Sequence, residues 1–339
     1  MQTDPVTDAA GERPRQVRLQ SEQLAISVLE IGAALTSVEV PDRNGDRRNV
    51  CLPLSHDGSY RDNPSNFGAV VGPFANRIGG ASFRLDGEHY QLEANNGPNS
   101  LHSGSANVAS KRWLISSTAD RSVTLRILVP DDTGGFPGPI RMQTRYEVDG
   151  TTLRMTHTAT TERPTVVNMT NHAYWNLAGV AADGTGPAPS VLDHELAIAA
   201  DSVLVPDENT LPLGESRPVR GTAFDFTSPR PIGHAWDRQP GYDHCYVLRG
   251  DGSVIEAARV SDPGSGRQMI VRTNQPGVQL YTANHFAGEA SNNGFSFGQA
   301  FCLECQNFPN APNVSSFPSA ILRPGETYEH VTEYEFGIA

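Results

Sequence analysis

Lysine is almost missing from this sequence: Lys111 is the only one among 26 lysines and arginines in 339 residues. A Schiff-base mechanism is therefore excluded everywhere but at that position. Cysteine is scarce as well, with Cys51, Cys245, Cys302 and Cys305, which suits a reducing compartment better than a disulfide framework. Cys302-Leu-Glu-Cys305 has C-x-x-C spacing, but a second cysteine pair and a strand-to-helix turn are both lacking, so neither a zinc site nor a thioredoxin motif is indicated. The ten histidines include no His-x-His and no H-E-x-x-H pair, and no metal is expected from them. No apolar run approaches the length of about 20 residues that spans a bilayer. Positive charge is in deficit: the net charge of -12 argues against nucleic acid as a partner, because phosphate binding needs a basic face. Amphipathic helices of three turns or more are absent, and so is any repeat of fixed period, which removes helical bundles and propellers.

What is abundant is turn chemistry, with Gly 32 and Pro 25. Met1–Gln16 is polar, carries Pro5 and Pro14 and has no apolar signal-peptide core, so residues 1–16 read as a disordered lead-in and the protein as cytoplasmic. From residue 17 to 339 short strands recur, and one domain is the simplest organisation. Ala25–Val40 is strand-like around Gly32. Ser82–Leu92 forms a hairpin through Asp86-Gly87, and a second hairpin turns at Asp149-Gly150. Val123, Leu125, Ile127 and Val129 alternate with polar neighbours, and the pattern continues through Tyr246–Leu248, Val254–Val260, Met269–Arg272 and Val278–Tyr281. Such spacing predicts an all-β sandwich or barrel. Gly179–Ser190 reads as a loop.

Two stretches break the strand rules. Val166–Gly179 places Asn171, His172, Tyr174, Trp175 and Asn176 within six positions, where amides, an imidazole and aromatic faces suit a pocket for a polar, flat-faced molecule. A core histidine held by Asn171 is the plainer alternative. Phe301–Asn313 sets Glu304 inside an apolar strand, where a carboxylate must be paired, hydrogen-bonded or used. Together His172 and Glu304 make a possible acid/base pair. Four further segments present Asn76 and Arg77, His102, Asp243, and Gln279 at positions that strands do not favour. Gly294-Phe-Ser-Phe-Gly298 matches the G-x-S-x-G pattern of a serine nucleophile. That motif requires a strand before it and a helix after, whereas Gln299–Asn307 reads as a strand.

These segments resemble one family. Ala-Asn-Arg-Ile (75–78), Asn-Gly-Pro-Asn-Ser-Leu-His (96–102), Thr-Asn-His-Ala-Tyr-Trp-Asn-Leu-Ala-Gly (170–179), Tyr-Asp-His (242–244), Gly-Val-Gln-Leu-Tyr-Thr (277–282) and Cys-Leu-Glu-Cys-Gln-Asn-Phe-Pro (302–309) look like the signatures of aldose 1-epimerases, in that family's order, over roughly residues 20 to 335. The resemblance implies a large antiparallel β-sandwich with an open sugar cleft and no metal or organic cofactor. It also implies Glu304 as general base and His172 as general acid, with Asn76, Arg77, His102, Asp243 and Gln279 holding or orienting a monosaccharide. Two departures stand out: Gly72-Pro73 where many relatives have Gly-Arg, and Ser103-Gly104 where Gly-Gly is commoner. The chemistry expected is interconversion of the anomers of a galactose- or glucose-like aldose. A base takes the C1 hydroxyl proton and an acid protonates the ring oxygen. Proximity should then keep Glu304 ionised and His172 protonated, each charge favouring the other. Tyr174 or Trp175 could cover an apolar sugar face. Asp243 and Glu304 could in principle be the carboxylate pair of a glycoside hydrolase, although mutarotation needs no leaving group. Alternatives within the fold are another sugar or biosynthetic intermediate as substrate, or sugar binding without turnover. No segment specifies an oligomeric state.

Overall fold

The computed structural model describes residues 13–55, 57–180 and 188–339. Most of the expected lead-in, residues 1–12, and most of the 179–190 loop lie outside that description. Where the lead-in is described it departs from expectation: Gln16 already opens the strand Gln16–Gln20 by pairing with Leu29. The backbone N–H of Arg15 donates to Glu30 Oε1 at 2.9 Å, which holds the start of the chain on the sheet.

Three antiparallel sheets carry the structure. The largest has nine strands, in the order 114–119, 122–129, 140–149, 152–161, 328–338, 267–273, 255–261, 195–198 and 230–231. The C-terminal strand Tyr328–Ile338 thus sits at the centre of this sheet, between Thr152–Thr161 and Arg267–Thr273. A five-stranded sheet runs 16–20, 25–29, 34–41, 47–51, 175–180, and another runs 212–218, 200–206, 243–248, 277–281, 302–306. The two five-stranded sheets meet where Trp175 and Phe301 exchange backbone hydrogen bonds at 2.7 and 3.1 Å. One hydrophobic core takes Leu125, Met155 and Val271 from the large sheet, Ile26 and Leu35 from the second, and Val278, Leu280 and Leu303 from the third. That is the expected β-sandwich, because alternate side chains of each strand must leave water on one face only. The described helical segments are short 3-10 turns.

The hairpins form for the reasons their turns suggest. Leu85 and Glu88 close the Asp86-Gly87 loop, whose φ values of 51° and 88° are those of a type I′ turn. In the second hairpin Asp149 pairs with Thr152, so the two-residue loop is Gly150-Thr151, one position later than expected.

Val166–Gly179 does not run as one strand. It breaks into Thr165–Val166, Thr170–Asn171 and Trp175–Val180, each paired with a different neighbour. The breaks are held by side chains rather than ladders. Fully buried Asn168 donates from Nδ2 to Ala75 O (3.3 Å) and Asn307 O (3.2 Å), and its Oδ1 accepts Asn307 N–H at 2.8 Å. One amide therefore ties together the segments carrying Asn76, His172 and Glu304. Gly68 makes a second tie: its N–H donates to His172 O at 3.0 Å and its carbonyl accepts from Asn171 Nδ2 at 2.7 Å. At φ +61°, a Cβ on Gly68 would lie 2.0 Å from Leu35 O, so only glycine allows this approach.

Removing the Asn168 amide leaves buried backbone groups unpaired, at about 1–3 kcal/mol each. Asn168→Ala should therefore lower unfolding free energy by roughly 2–4 kcal/mol in denaturant titration. A change below about 0.5 kcal/mol would show that the amide does not tie these segments.

Candidate active site

Alternation along Cys302–Gln306 decides which side chains leave the core. Leu303 and Cys305 belong to the main hydrophobic core, which turns Cys302, Glu304 and Gln306 to the opposite face. On the neighbouring strand Val278 and Leu280 face inward in the same way, and Gln279 lies directly opposite Glu304. Asp243, at the head of the next strand, is opposite Tyr281. The outer face of this sheet is the floor of a cleft of about 280 Å³, at the small end of the range of roughly 300–1,000 Å³ for ligand pockets. Its lining includes Asn76, Arg77, His102, His172, Asp243 and Glu304, six of the seven residues singled out above.

Gln279 is the exception. It lies beneath the surface and donates from Nε2 to Asp243 Oδ1 at 2.6 Å, so it holds Asp243 rather than lining the cavity. Of the two candidate aromatics, Tyr174 lines the cleft and Trp175 does not. Trp175 is fully buried against Tyr334 at 4.9 Å, and its ring belongs to the sandwich core. Sequence reasoning singled out none of Ser65, Asn66, His285 and Phe286 as lining residues, and Asn96, Leu101 and Tyr281 were quoted only as parts of segments. Asn96 had a usable signal, since it opens the same turn-rich loop as His102, and it accepts from Arg77 Nε at 3.0 Å.

The loop carrying His102 is stitched to the Asn76 loop. His102 N–H donates to Asn76 O at 2.9 Å, and Asn76 N–H donates to His102 Nδ1 at 3.1 Å. Nδ1 is therefore an acceptor, and the ring proton of neutral His102 sits on Nε2 as a donor. Burial, His172 and Arg77 hold His102 well below the usual imidazole pKa. Ser103, one of the two departures, is buried at φ 68°, and its Oγ both accepts Phe74 N–H (2.8 Å) and donates to Phe74 O (3.0 Å). The hydroxyl does work in the loop that a glycine there could not.

His172 Nε2 stands 3.8 Å from Glu304 Oε1, too far for a hydrogen bond. The two residues are 5% and 3% exposed, and Glu304 Oε2 has no partner. Here the structure reverses the expected charge states. Burial pushes the Glu304 carboxyl up to about 8, with Asp243 adding to the rise and Arg77 opposing it. Burial likewise pushes the His172 imidazole down to about 4. Desolvation outweighs mutual attraction because the pair is dry and not in contact, so the empty cleft favours the neutral acid beside the neutral imidazole.

The alternative chemistries find less support. Ser296 follows a 3-10 turn at Ala290–Asn292 rather than a strand, and Cys302–Gln306 after it is a strand rather than a helix. Cys302 and Cys305 face opposite sides of their strand. One donor atom from each of His172, Cys302 and Glu304 lies within 4.8 Å of the others, so these three could ligate a cation even though their sequence spacing does not announce it.

The family model described as "Aldose 1-epimerase" matches residues 15–335. The chain belongs to the aldose 1-epimerase family. It is 39% identical to galactose mutarotase of Bos taurus over 95% of this chain and 94% of that protein, and 38% identical to the Homo sapiens galactose mutarotase over 98% and 96%. It is also 34% identical to aldose 1-epimerase of Escherichia coli K12 over 98% of both chains. Among solved structures, an aldose epimerase homologue from C. elegans superposes with TM-score 0.87 at 28% identity, covering 96% of this chain and 99% of the other. Galactose 1-epimerase from Lactobacillus acidophilus superposes with TM-score 0.84 at 27% identity, covering 98% and 97%. In this chain a histidine, a glutamate, an arginine and an aspartate line one cleft.

The raised carboxyl pKa has a consequence for stability. Below about 4.5 both folded and unfolded chains hold the Glu304 proton, whereas between 4.5 and about 8 only the folded chain does. The unfolded state then binds fewer protons, and this group's contribution is lost as pH rises to 8. Glu304→Gln should therefore gain stability over the parent between pH 5 and pH 8.5, by up to a few kcal/mol, with little difference at pH 5. Parallel unfolding curves at both pH values would show that the carboxyl is not desolvated in solution.

Proposed function

We propose that this protein interconverts the α and β anomers of a free galactose- or glucose-like aldose, with Glu304 and His172 exchanging the protons. The observation that carries this reading is the placement of a buried carboxyl and a buried imidazole 3.8 Å apart at the floor of an open, polar-rimmed cleft, in an aldose 1-epimerase chain. Binding a sugar does not require such a pair, but opening its ring does.

The neutral pair and the ion pair contain the same number of protons, so one is the other's tautomer. When sugar hydroxyls and Arg77 supply the hydrogen bonds that burial has removed, the ion pair becomes accessible. Glu304 takes the proton from the C1 hydroxyl while His172 delivers one to the ring oxygen, and the C1–ring oxygen bond breaks. At that point Glu304 carries a proton and His172 is neutral, which is the distribution burial favours. Desolvation thus stabilises the open-chain intermediate relative to the charged start. Rotation about C1–C2 presents the other carbonyl face, and the same transfers in reverse close the ring with C1 inverted.

Arg77 and neutral His102 donate to sugar oxygens and Asp243 accepts from hydroxyls, oriented by Gln279. Tyr174, its ring tilted against that of Phe286 with centroids 5.0 Å apart, offers an apolar wall for a ring face. Among the described lining residues Arg77 is the sole guanidinium and shares the cleft with Asp243 and Glu304, which favours a neutral sugar over a phosphorylated one.

Polarimetry of freshly dissolved galactose and glucose should show acceleration above the spontaneous rate. Glu304→Gln keeps the shape but cannot take a proton, so calorimetric affinity should stay within an order of magnitude while acceleration falls by about 10²–10⁴-fold. His172→Asn should lower kcat by roughly 10²-fold or more. Near-normal acceleration by either folded variant would remove that residue from the chemistry.

The shared proton also shapes the pH dependence. Below about 4 the pair gains a second proton and loses its base, and above about 8 it loses the last proton and has no acid. After subtraction of the spontaneous rate, kcat/KM for mutarotation should plateau between those limits and fall tenfold per pH unit outside them. A limb near 6.5 instead would mean that His172 titrates as if in water.

A further inference from the structure

Cys302 is a fully buried thiol that the proton transfers do not use, yet it sits against the machinery that does. Its Sγ lies 3.6 Å from His172 Nδ1, while the other ring nitrogen of His172 faces Glu304 Oε1 at 3.8 Å. One sulfur, one nitrogen and one oxygen donor thus converge within 4.8 Å of one another, all three residues buried. Glu304 Oε2 is buried without a hydrogen-bond partner.

We propose that Cys302, His172 and Glu304 form an inhibitory site for a thiophilic divalent cation such as zinc or cadmium, with the fourth position open to the cleft. Sulfur, imidazole and a single carboxylate suit these borderline and soft ions and are poor ligands for magnesium or calcium, which take six or more oxygens. Bonds of about 2.0–2.3 Å would require the three donor atoms to draw together by up to roughly 1 Å. Side-chain rotation can supply that, because neither His172 nor Glu304 is locked to the other by a hydrogen bond. Binding breaks the Cys302 S–H bond and the Glu304 O–H bond, sends both protons to solvent, and forms metal–sulfur and metal–oxygen bonds. A bound cation occupies the base and the acid at once and abolishes proton transfer. The cation is no part of the reaction, and the metal-free protein is the active form.

The loss of activity rests on the mutarotation reading, but occupancy of the site does not, and the test separates the two. Full-length protein, freed of metal with EDTA, is titrated with cadmium while the near-ultraviolet sulfur-to-cadmium charge-transfer band is recorded. Zinc is then titrated against the mutarotation rate. We expect one equivalent of cadmium to develop the band, zinc to inhibit, and EDTA to restore the metal-free rate. Cys302→Ser should lose the band and weaken zinc inhibition at least about tenfold, relative to its own metal-free rate, since even outer-shell changes cost 10–100-fold in affinity. Glu304→Gln should retain the band but weaken cadmium binding by a similar factor, which keeps the test usable if the serine variant fails to fold. A wild-type protein without the band, a band that survives in Cys302→Ser, or unchanged cadmium affinity in Glu304→Gln would overturn the site. A protein that develops the band with cadmium yet shows no mutarotation when metal-free would overturn the function and leave the site standing.

Discussion

The two-residue period of a single strand governs this site. Because Leu303 and Cys305 must point into the sandwich, Cys302, Glu304 and Gln306 must point out of it. All three of these residues are nevertheless buried, so outward here does not mean wet. A carboxylate placed there loses water without gaining a close cation, and its proton affinity rises. The imidazole arrives from a different sheet region under the same desolvation and responds in the opposite direction. From one packing constraint follow the position of the buried carboxyl and imidazole and the opposite directions in which burial shifts them.

Holding such a pair requires rigidity outside regular structure. The segments around Asn76, His102 and His172 make two-residue strands and left-handed turns rather than long ladders, so side-chain amides and one hydroxyl replace the missing backbone bonds. Asn168, Ser103 and the Gly68 approach perform this role behind the cleft. The long ladders of the nine-stranded sheet contribute no lining residue to the cleft. Rigid sheets carry the floor and hydrogen-bonded loops carry the walls, a division that lets the walls vary without moving Glu304.

Much of this was legible in the chain itself. Alternation and the Asp-Gly turns were enough for an antiparallel sandwich, since both signals are local. Glu304 stood out because an ionisable group within an apolar strand is anomalous wherever it occurs, and His172 because it lies among amides and aromatics. What escaped reading was non-local. Whether Tyr174 or Trp175 faces the cleft depends on where the strand resumes after a break, and one position shifts every side chain to the other face. Gln279 looked like a contact residue, but its role is fixed by Asp243 across a neighbouring strand. The charge state was misjudged for a related reason. Sequence reveals which groups meet, whereas their pKa values depend on how much water the rest of the fold removes.

The central position of Tyr328–Ile338 bears on how the molecule is made. The half-sheet built from residues 114–161 and the one built from 195–273 each end in an open edge until this last strand lies between them. Each edge is a row of unpaired N–H and carbonyl groups, a template for any other extended chain. During synthesis both halves can exist before the strand that unites them has been translated, so the sandwich closes late and all its longest-range pairings close together. The nascent chain therefore passes through a stage in which two complementary edges of the same sheet stand open to any other extended segment.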